Sequence, residues 1–182
     1  MALFKLDIEK YKKYSGKSSF VLLLTTQGLW AIYVYRFSHS IYISSLTKVI
    51  KKPLLLLGIV WQKWIEIITG ISIPYSAQIG DRFYIGHFGG IIINSKAIIG
   101  HNCNISQGVT IGVNGKGENR GVPTIGNNVY IGANAVIVGK IKIGDGCVIA
   151  ANSLVIETVD ANNTVIGVPA KIINNNTSKG YI

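Results

Sequence analysis

The chain has 182 residues, of which 48% are hydrophobic and only 14% are charged, and its formal net charge is +10. This composition excludes an intrinsically disordered protein, because the apolar residues are numerous enough to build a core. The two cysteines, Cys103 and Cys147, have no CxxC spacing, which excludes a disulfide-stapled scaffold and predicts a protein of the reducing cytoplasm.

Residues 1–70 are predicted to form an N-terminal helical region, because apolar residues recur there with helical spacing. Pro53 is expected near the start of a helix, where its missing N–H costs least. The segment 54–68 continues that helix, and Gly70 is expected to end it in a left-handed conformation.

The same region is basic as well as apolar, with ten Lys and Arg against three Asp and Glu. It could therefore rest on the anionic inner face of the bacterial membrane as a peripheral contact. The alternative is that its helices pack against each other in an oligomer. No charge-free apolar run of 18 residues and no signal-peptide pattern stands out. No nucleic-acid partner is expected, because the chain has no Arg-rich cluster, zinc finger or aromatic RNA-binding motif.

After Gly70 an aliphatic residue recurs every six positions. It occurs in three runs: Ile73, Ile79 and Ile85; Ile99, Ile105 and Ile111; and Ile125, Ile131, Ile137, Ile143, Ile149 and Val155. The next residue is usually glycine or alanine. A helix cannot keep a period of six on one face, and a simple hairpin sheet has a period of two. The pattern predicts a parallel β-helix, a coil with flat sides, inward aliphatic residues and small corner residues. The alternative is a β-sandwich with strands near this spacing.

The repeat is interrupted twice, and function is expected at such breaks. The first break is an insertion within Gly86-His87-Phe88-Gly89-Gly90. The second is the polar, glycine-rich stretch 113–124, VNGKGENRGVPT, which is predicted to be an excursion loop.

Four motifs identify a resemblance that covers residues 71–173: IGHFGGIIINSKAIIG, NISQGVTIGVNGKG, VPTIGNNVYIGANAVIVGKIKIG and VIGVPAKII. The segment resembles the hexapeptide-repeat acyltransferases, in particular their serine acetyltransferase-like branch. The resemblance implies a mainly β protein, a left-handed parallel β-helix with an N-terminal α-helical region, that forms a homotrimer. It also implies that acetyl-CoA binds in the groove between subunits. Residues 174–182 form a C-terminal tail outside the resemblance.

Two departures bear on the acceptor. Serine acetyltransferases have an Asp-His pair where this chain has Gly86-His87, and an Arg-His pair where it has Gly121-Val122 before Pro123. The chain therefore looks most like the O-acetyltransferases of capsule, O-antigen and exopolysaccharide clusters. That likeness implies acetylation of a hydroxyl of a sugar in a capsular or other cell-surface polysaccharide. The alternatives are a serine O-acetyltransferase of cysteine biosynthesis and a non-catalytic β-helix scaffold.

His87 is the predicted general base, because it lies in the first break between glycines, and imidazole can take a hydroxyl proton near neutral pH. Phe88, Arg120 and His39 are candidates for contacts with the acceptor. The alternative for His39 is a structural role, capping or pairing between the helices. Gly112 is the candidate for an oxyanion-stabilising N–H group. His101 follows a regular corner and is expected to be a surface residue.

The remaining candidates concern acetyl-CoA. By resemblance, the corners Gly132-Ala133 and Ala150-Ala151 match those that pair with its pantetheine arm, and Lys171 is placed to meet its phosphates. Lys116 is a further candidate for the phosphates. Cys103 and Cys147 occupy inward positions and are expected to be core residues, which implies direct transfer without an acyl-enzyme. No metal site is expected, because His and Cys are not clustered.

Overall fold

Four helices precede a stack of short strands in the computed structural model, which describes residues 2–182. The helices are α1 (Ala2–Ser15), α2 (Ser19–Thr25), α3 (Gln27–Ile43) and α4 (Lys48–Thr69). The strands lie in three sheets that the chain visits in turn, so each coil contributes a strand to each side. This is the predicted β-helix behind an N-terminal helical region.

The strands are short because each coil turns a corner about every six residues. The first sheet contains β1 (Ile71–Ser72), β4 (Ile91–Ile93), β7 (Thr110–Gly112), β10 (Val136–Val138) and β13 (Leu154–Val155). The second contains β2 (Gln78–Ile79), β5 (Ile98–Ile99), β8 (Thr124–Ile125) and β11 (Lys142–Ile143). The third contains β3 (Tyr84–Ile85), β6 (Asn104–Ile105), β9 (Tyr130–Ile131), β12 (Val148–Ile149), β14 (Thr164–Gly167) and β15 (Ala170–Asn174). All pairings are parallel except that of β14 with β15.

The register confirms the six-residue repeat. Equivalent aliphatic residues of successive coils pair directly, as in the second sheet, where Ile79 lies opposite Ile99 and Ile99 opposite Ile125. The same ladder in the third sheet joins Ile85, Ile105, Ile131, Ile149 and Val165. All of these side chains are buried, so the core is one continuous column along the coil axis.

The small residues after the inward isoleucines allow the coils to stack closely. A Cβ atom on Gly80 would lie 2.7 Å from the carbonyl carbon of Gly100, and one on Gly132 would lie 2.6 Å from the backbone nitrogen of Ala151. Backbone atoms cannot yield at such distances, so these two corners require glycine, in agreement with the predicted small corner residues.

The long helix α4 ends as predicted and begins earlier than predicted. Gly70 has φ +66° and its N–H donates to the Glu66 carbonyl at 2.8 Å, which closes the helix. The helix begins at Lys48, however, so the expectation that Pro53 lies near its start was wrong. Ile50 and Lys51 already donate to the Thr47 carbonyl, and a proline within the helix forgoes its own backbone hydrogen bond there.

Side chains of α1 and α3 cover the lower edge of the first coil. The Tyr35 hydroxyl donates to the Ala77 carbonyl at 2.9 Å and accepts from the Ile79 N–H. The Tyr11 hydroxyl makes the corresponding pair with the carbonyl and N–H of Ile85, both at 2.9 Å. These backbone groups have no coil beneath them, so the two tyrosines replace the missing strand.

A buried ion pair completes this cap. Arg36 donates to both oxygens of the Asp7 carboxylate, at 2.9 and 3.1 Å, and its two terminal nitrogens donate to the carbonyls of Ile79 and Gly80. The Asp7 carboxylate also accepts the Phe83 N–H at 2.8 Å. The side chains of Asp7 and Arg36 are 0% and 2% exposed, so each charge depends on the other for its solvation.

Substituting Arg36→Met tests this cap. The change leaves the Asp7 carboxylate buried without its partner and leaves two carbonyls unpaired, so the free energy of unfolding should fall by about 3–5 kcal/mol. Arg120→Met, at an exposed arginine of the excursion loop, is the control and should change it by less than about 0.5 kcal/mol. Urea unfolding followed by circular dichroism measures both, and equal midpoints would show that the ion pair does not support the fold.

Candidate functional site

His87 lies in the turn between β3 and β4, at the first break of the repeat. Paired residues Ile85 and Ile105 are followed eight and six positions later by the paired residues Ile93 and Ile111, so this turn holds two extra residues. The insertion is where the sequence predicted it, and it projects the His87 side chain into solvent.

Glycines on both sides hold this turn in place. A Cβ atom on Gly70, at the end of α4, would lie 3.1 Å from the Cα atom of Gly89. One on Gly90, which has φ +66°, would lie 3.3 Å from the Cα atom of Gly108 in the coil above. The backbone beside His87 is therefore packed between the helical region and the second coil. This packing holds the backbone in place although the His87 side chain itself is exposed.

His87 lines a groove of about 620 Å³ that runs up the third sheet. The predicted corner residues Gly132, Ala133, Ala150 and Ala151 line the same groove. The structure thus brings the candidate base together with all four residues predicted to bind the pantetheine arm, although the coils that carry them are up to 64 positions away along the chain.

The corners offer unpaired backbone donors to this groove. The N–H groups of Gly132 and Ala150 donate to Ile149 and Val165 in the next coil, at 2.8 and 2.9 Å. The neighbouring N–H groups of Ala133 and Ala151 have no hydrogen-bond acceptor within residues 2–182. Two free amide donors on successive coils suit an extended ligand that carries amide carbonyls, as pantetheine does.

Sequence reasoning missed Gln107, which also lines the groove. Its side-chain Oε1 is buried and has no hydrogen-bond partner among the described residues. A buried carbonyl oxygen without a donor is costly, so this atom is placed to accept a hydrogen bond from a bound molecule or from the His87 ring. The signal in the sequence, a glutamine at an otherwise regular position of NISQGVT, did not distinguish it from a surface residue.

The C-terminal tail forms the other wall of the groove, which the sequence did not predict either. Thr164 donates through its hydroxyl to the Asn176 carbonyl at 3.0 Å, and the Tyr181 ring stacks on Tyr130 with centroids 4.7 Å apart. The tail ends near α1, where Asn104 donates to the Tyr181 carbonyl at 2.8 Å. The tail lies outside the repeat and folds back along its side, so its position depends on these contacts and not on a pattern.

Two candidates lie at the borders of this groove. Phe88, next to His87 in the chain, is 54% exposed and is not among the residues that line the groove. Lys171 is exposed on β15, the strand that carries the groove residues Ile173 and Asn174, but it does not itself line the groove. Its contact with phosphate stays a prediction.

The structure does not bring the other loop candidates to the His87 groove of the same chain. Gly112 ends β7 in the first sheet, and Lys116 and Arg120 lie on the excursion loop. The loop is a small hairpin, closed by two hydrogen bonds between Asn114 and Gly121 at 3.1 and 3.0 Å. The predicted roles of Gly112 with the oxyanion, of Lys116 with phosphate and of Arg120 with the acceptor stay predictions.

The two other histidines are also elsewhere. His39 hydrogen-bonds through Nδ1 to the Tyr75 carbonyl at 2.7 Å and stacks on Tyr35. These contacts are structural, and a contact of His39 with the acceptor stays a prediction. His101 is exposed, as predicted, and its Nδ1 contacts Asp81.

The cysteines are buried in the core, as predicted. Burial raises the pKa of the Cys103 thiol to about 11, and it raises the pKa of Cys147 too. Neither thiol is therefore ionised near neutral pH, which leaves both unsuited to nucleophilic catalysis. Within residues 2–182 no group of three His, Cys, Asp or Glu side chains is placed to hold a metal ion.

Comparison with known proteins gives consistent results. The family profile described as bacterial transferase hexapeptide (six repeats) matches residues 123–157. A serine acetyltransferase of Bacillus subtilis is 34% identical over 165 residues, which cover 91% of this chain and 72% of that protein.

The fold of this chain is also similar to solved structures of serine acetyltransferases. A Neisseria gonorrhoeae serine acetyltransferase in complex with serine superposes with a TM-score of 0.81 at 31% identity, over 95% of this chain and 68% of that one. A serine acetyltransferase in complex with CoA gives a TM-score of 0.79 at 28% identity, over 94% and 68%. The coil is thus a left-handed β-helix. These relatives are named for serine, so the expected likeness to polysaccharide O-acetyltransferases is not supported.

Substituting His87→Ala tests the candidate base. Loss of general-base assistance should lower kcat for release of CoA from acetyl-CoA by about 10²–10⁴-fold. Because the side chain is exposed, the thermal midpoint should stay close to that of the wild type. His101→Ala, at the other exposed histidine, is the matched control and should retain activity. Wild-type turnover in His87→Ala would exclude this residue as the base.

Substituting Ala151→Trp tests the corner groove. The indole would fill the space above the free N–H groups, so KM for acetyl-CoA should rise by about tenfold or more, the cost of roughly one lost hydrogen bond to the ligand. Ala161→Trp is the matched control, because Ala161 occupies the same position after an inward valine at a different corner. An equal KM in both variants would place acetyl-CoA outside this groove.

Proposed function

This chain belongs to the serine acetyltransferase family and is an acetyl-CoA-dependent acyltransferase, and we propose that it transfers the acetyl group to the hydroxyl of L-serine. The observation that carries the proposal is the groove in which His87 lies together with the corner residues Gly132, Ala133, Ala150 and Ala151. The names of the relatives support serine as the acceptor.

The proposed reaction is direct transfer. A ring nitrogen of His87 takes the hydroxyl proton as the acceptor oxygen attacks the thioester carbonyl of acetyl-CoA. The tetrahedral intermediate then collapses, the carbon–sulfur bond breaks, and the imidazolium returns the proton to the CoA sulfur. The products are the acetyl ester and CoA. The N–H groups of Ala133 and Ala151 hold the pantetheine arm, and Lys171 meets the phosphates.

The proposal includes a trimer, because one chain does not complete the site. Gly112, Lys116 and Arg120 lie on the first-sheet side of the coil, away from the groove of their own chain. In a trimer with grooves between subunits, the excursion loop of one subunit would cover the groove of the next. The oxyanion donor and the acceptor contacts would then come from that loop.

A sugar hydroxyl is the second candidate acceptor, and the loop geometry favours it. A Cβ atom on Gly121 would lie 2.6 Å from the Cβ atom of Lys140 and 3.0 Å from its Cα atom. An arginine at Gly121, as serine acetyltransferases have, would therefore force the loop away from its present position. This chain must bind an amino acid without that arginine, or bind a different hydroxyl compound.

Position 86 allows a sharper experiment. A Cβ atom on Gly86 would lie 3.5 Å from the Tyr84 ring and 3.8 Å from the Ile105 carbonyl, which are ordinary contacts. Aspartate thus fits where the relatives have it. If L-serine is the acceptor, its ammonium group should gain a charge-assisted partner, and Gly86→Asp should raise kcat/KM for serine by roughly tenfold. Gly86→Asn is the control of equal size and should give a smaller gain.

The test measures CoA release from acetyl-CoA with L-serine and, separately, with a panel of oligosaccharides and nucleotide sugars. Release with serine that increases in Gly86→Asp supports the proposal. Release with a sugar alone, decreased or unchanged in Gly86→Asp, establishes the second candidate instead. Release with neither acceptor by the wild type, while acetyl-CoA still binds, would remove both.

A further inference from the structure

The outward face of α4 is apolar where a surface helix is normally polar. Val49 is 84% exposed and Ile67 is 77% exposed. The same face presents Ile50, Leu56, Leu57, Val60, Trp64 and Ile68. Its inward side packs on α3, where Gly58 is close to Ser38. These eight exposed side chains form an apolar patch, and large apolar patches mark a contact with a partner or a membrane.

Helix α2 extends the same surface. Phe20 and Leu24 are 72% and 61% exposed. An apolar cavity of about 430 Å³ lies between the two helices, lined by Leu23 of α2, Trp30 of α3, and Trp61 and Ile65 of α4, among others. Both helices border this cavity, and their exposed apolar residues are together called the α2–α4 face.

The α4 part of the α2–α4 face is flanked by lysines. Lys48, Lys51, Lys52 and Lys63 are on α4, and Glu66 is the acidic residue of that helix. Glu66 is already engaged by Lys63 and Ser72. Asp7, another of the three acidic residues in this region, is buried against Arg36. The charge around the face is therefore positive and largely uncompensated.

We propose that the α2–α4 face docks this enzyme on the surface of an anionic lipid bilayer. A second copy of the chain would place one set of lysines against another, whereas anionic headgroups complement them. The leucine, isoleucine and tryptophan side chains would enter the boundary between headgroups and acyl chains, with the lysines at the phosphates. Trp61 and Trp64 have the amphipathic rings that prefer this depth.

The contact is peripheral. Within residues 2–182 no single helix has both the length and the apolar content to cross a bilayer. Helices α2 and α3 reach that length only together, and they meet at 94°. Much of α3 is also buried against the rest of the protein, which leaves α2 and α4 as the elements that face the lipid.

The test is co-sedimentation of the full chain with vesicles of phosphatidylcholine alone or mixed with phosphatidylglycerol. The wild type should pellet with the anionic vesicles and release at high salt. Leu56→Gln/Ile67→Gln should lower the partition coefficient by about tenfold or more, since two apolar side chains no longer enter the bilayer. The control Ile156→Gln/Ile166→Gln, at exposed positions of the β-helix, should not.

A second pair of double variants tests the contribution of the lysines to vesicle binding. Lys48→Gln/Lys52→Gln should weaken binding roughly thirtyfold, the effect of removing two charges near an anionic surface. Lys140→Gln/Lys179→Gln removes the same charge from the β-helix and the C-terminal tail, and it should have little effect. The proposal is overturned if the wild type stays in the supernatant with anionic vesicles. It is also overturned if Leu56→Gln/Ile67→Gln changes only the oligomer mass, because the face would then join copies of the chain.

Discussion

The lower edge of the first coil is the constraint on which the rest of the molecule depends. Every higher coil finds hydrogen-bond partners in the coil below it, but β2 and β3 expose carbonyl and N–H groups with no strand beneath them. Tyr11, Tyr35 and the Asp7–Arg36 pair supply those partners from α1 and α3. An open edge of this kind would otherwise pair with other chains. The helical region is therefore part of the β-helix, and the His87 turn between β3 and β4 rests directly on it.

The catalytic site uses what the regular coil cannot provide. A regular corner has no room for a side chain over the next coil, as Gly80 and Gly132 show, so the stack by itself presents mostly backbone. That backbone suits a long cofactor with amide groups. General-base catalysis needs a side chain that projects from the coil, and the two-residue insertion places the His87 side chain in such a position. In the proposed mechanism the regular coils bind acetyl-CoA, and the interruptions hold the reactive groups.

Much of this was predictable because the repeat is a local rule. The inward isoleucines, the small corners, Gly70 as a helix end and the insertion at His87 all follow from spacing, and the shared groove of His87 with Gly132, Ala133, Ala150 and Ala151 followed from the family resemblance. The contacts that join distant segments were not predictable, since no spacing relates Asp7 to Arg36 or Tyr130 to Tyr181. Gln107 was missed for a similar reason: its buried, unpartnered oxygen is a property of the packed groove. Pro53 misled because a helix can tolerate one lost backbone hydrogen bond.

Whether the acceptor is L-serine or a sugar depends on which residues of the protein can pair with the two charges of an amino acid. L-serine carries an ammonium and a carboxylate, and each needs a partner when it leaves water. The side chains that line the His87 groove include no lysine, arginine, aspartate or glutamate. The excursion loop carries Lys116, Glu118 and Arg120 within five residues. In the proposed trimer, the loop of a neighbouring subunit would bring these charges to the groove to meet an amino acid, whereas a neutral sugar hydroxyl makes no such demand. The identity of the acceptor and the assembly of the subunits are therefore linked. The substitution Gly86→Asp, which adds one negative charge beside His87, is the smallest change that distinguishes L-serine from a sugar as the acceptor.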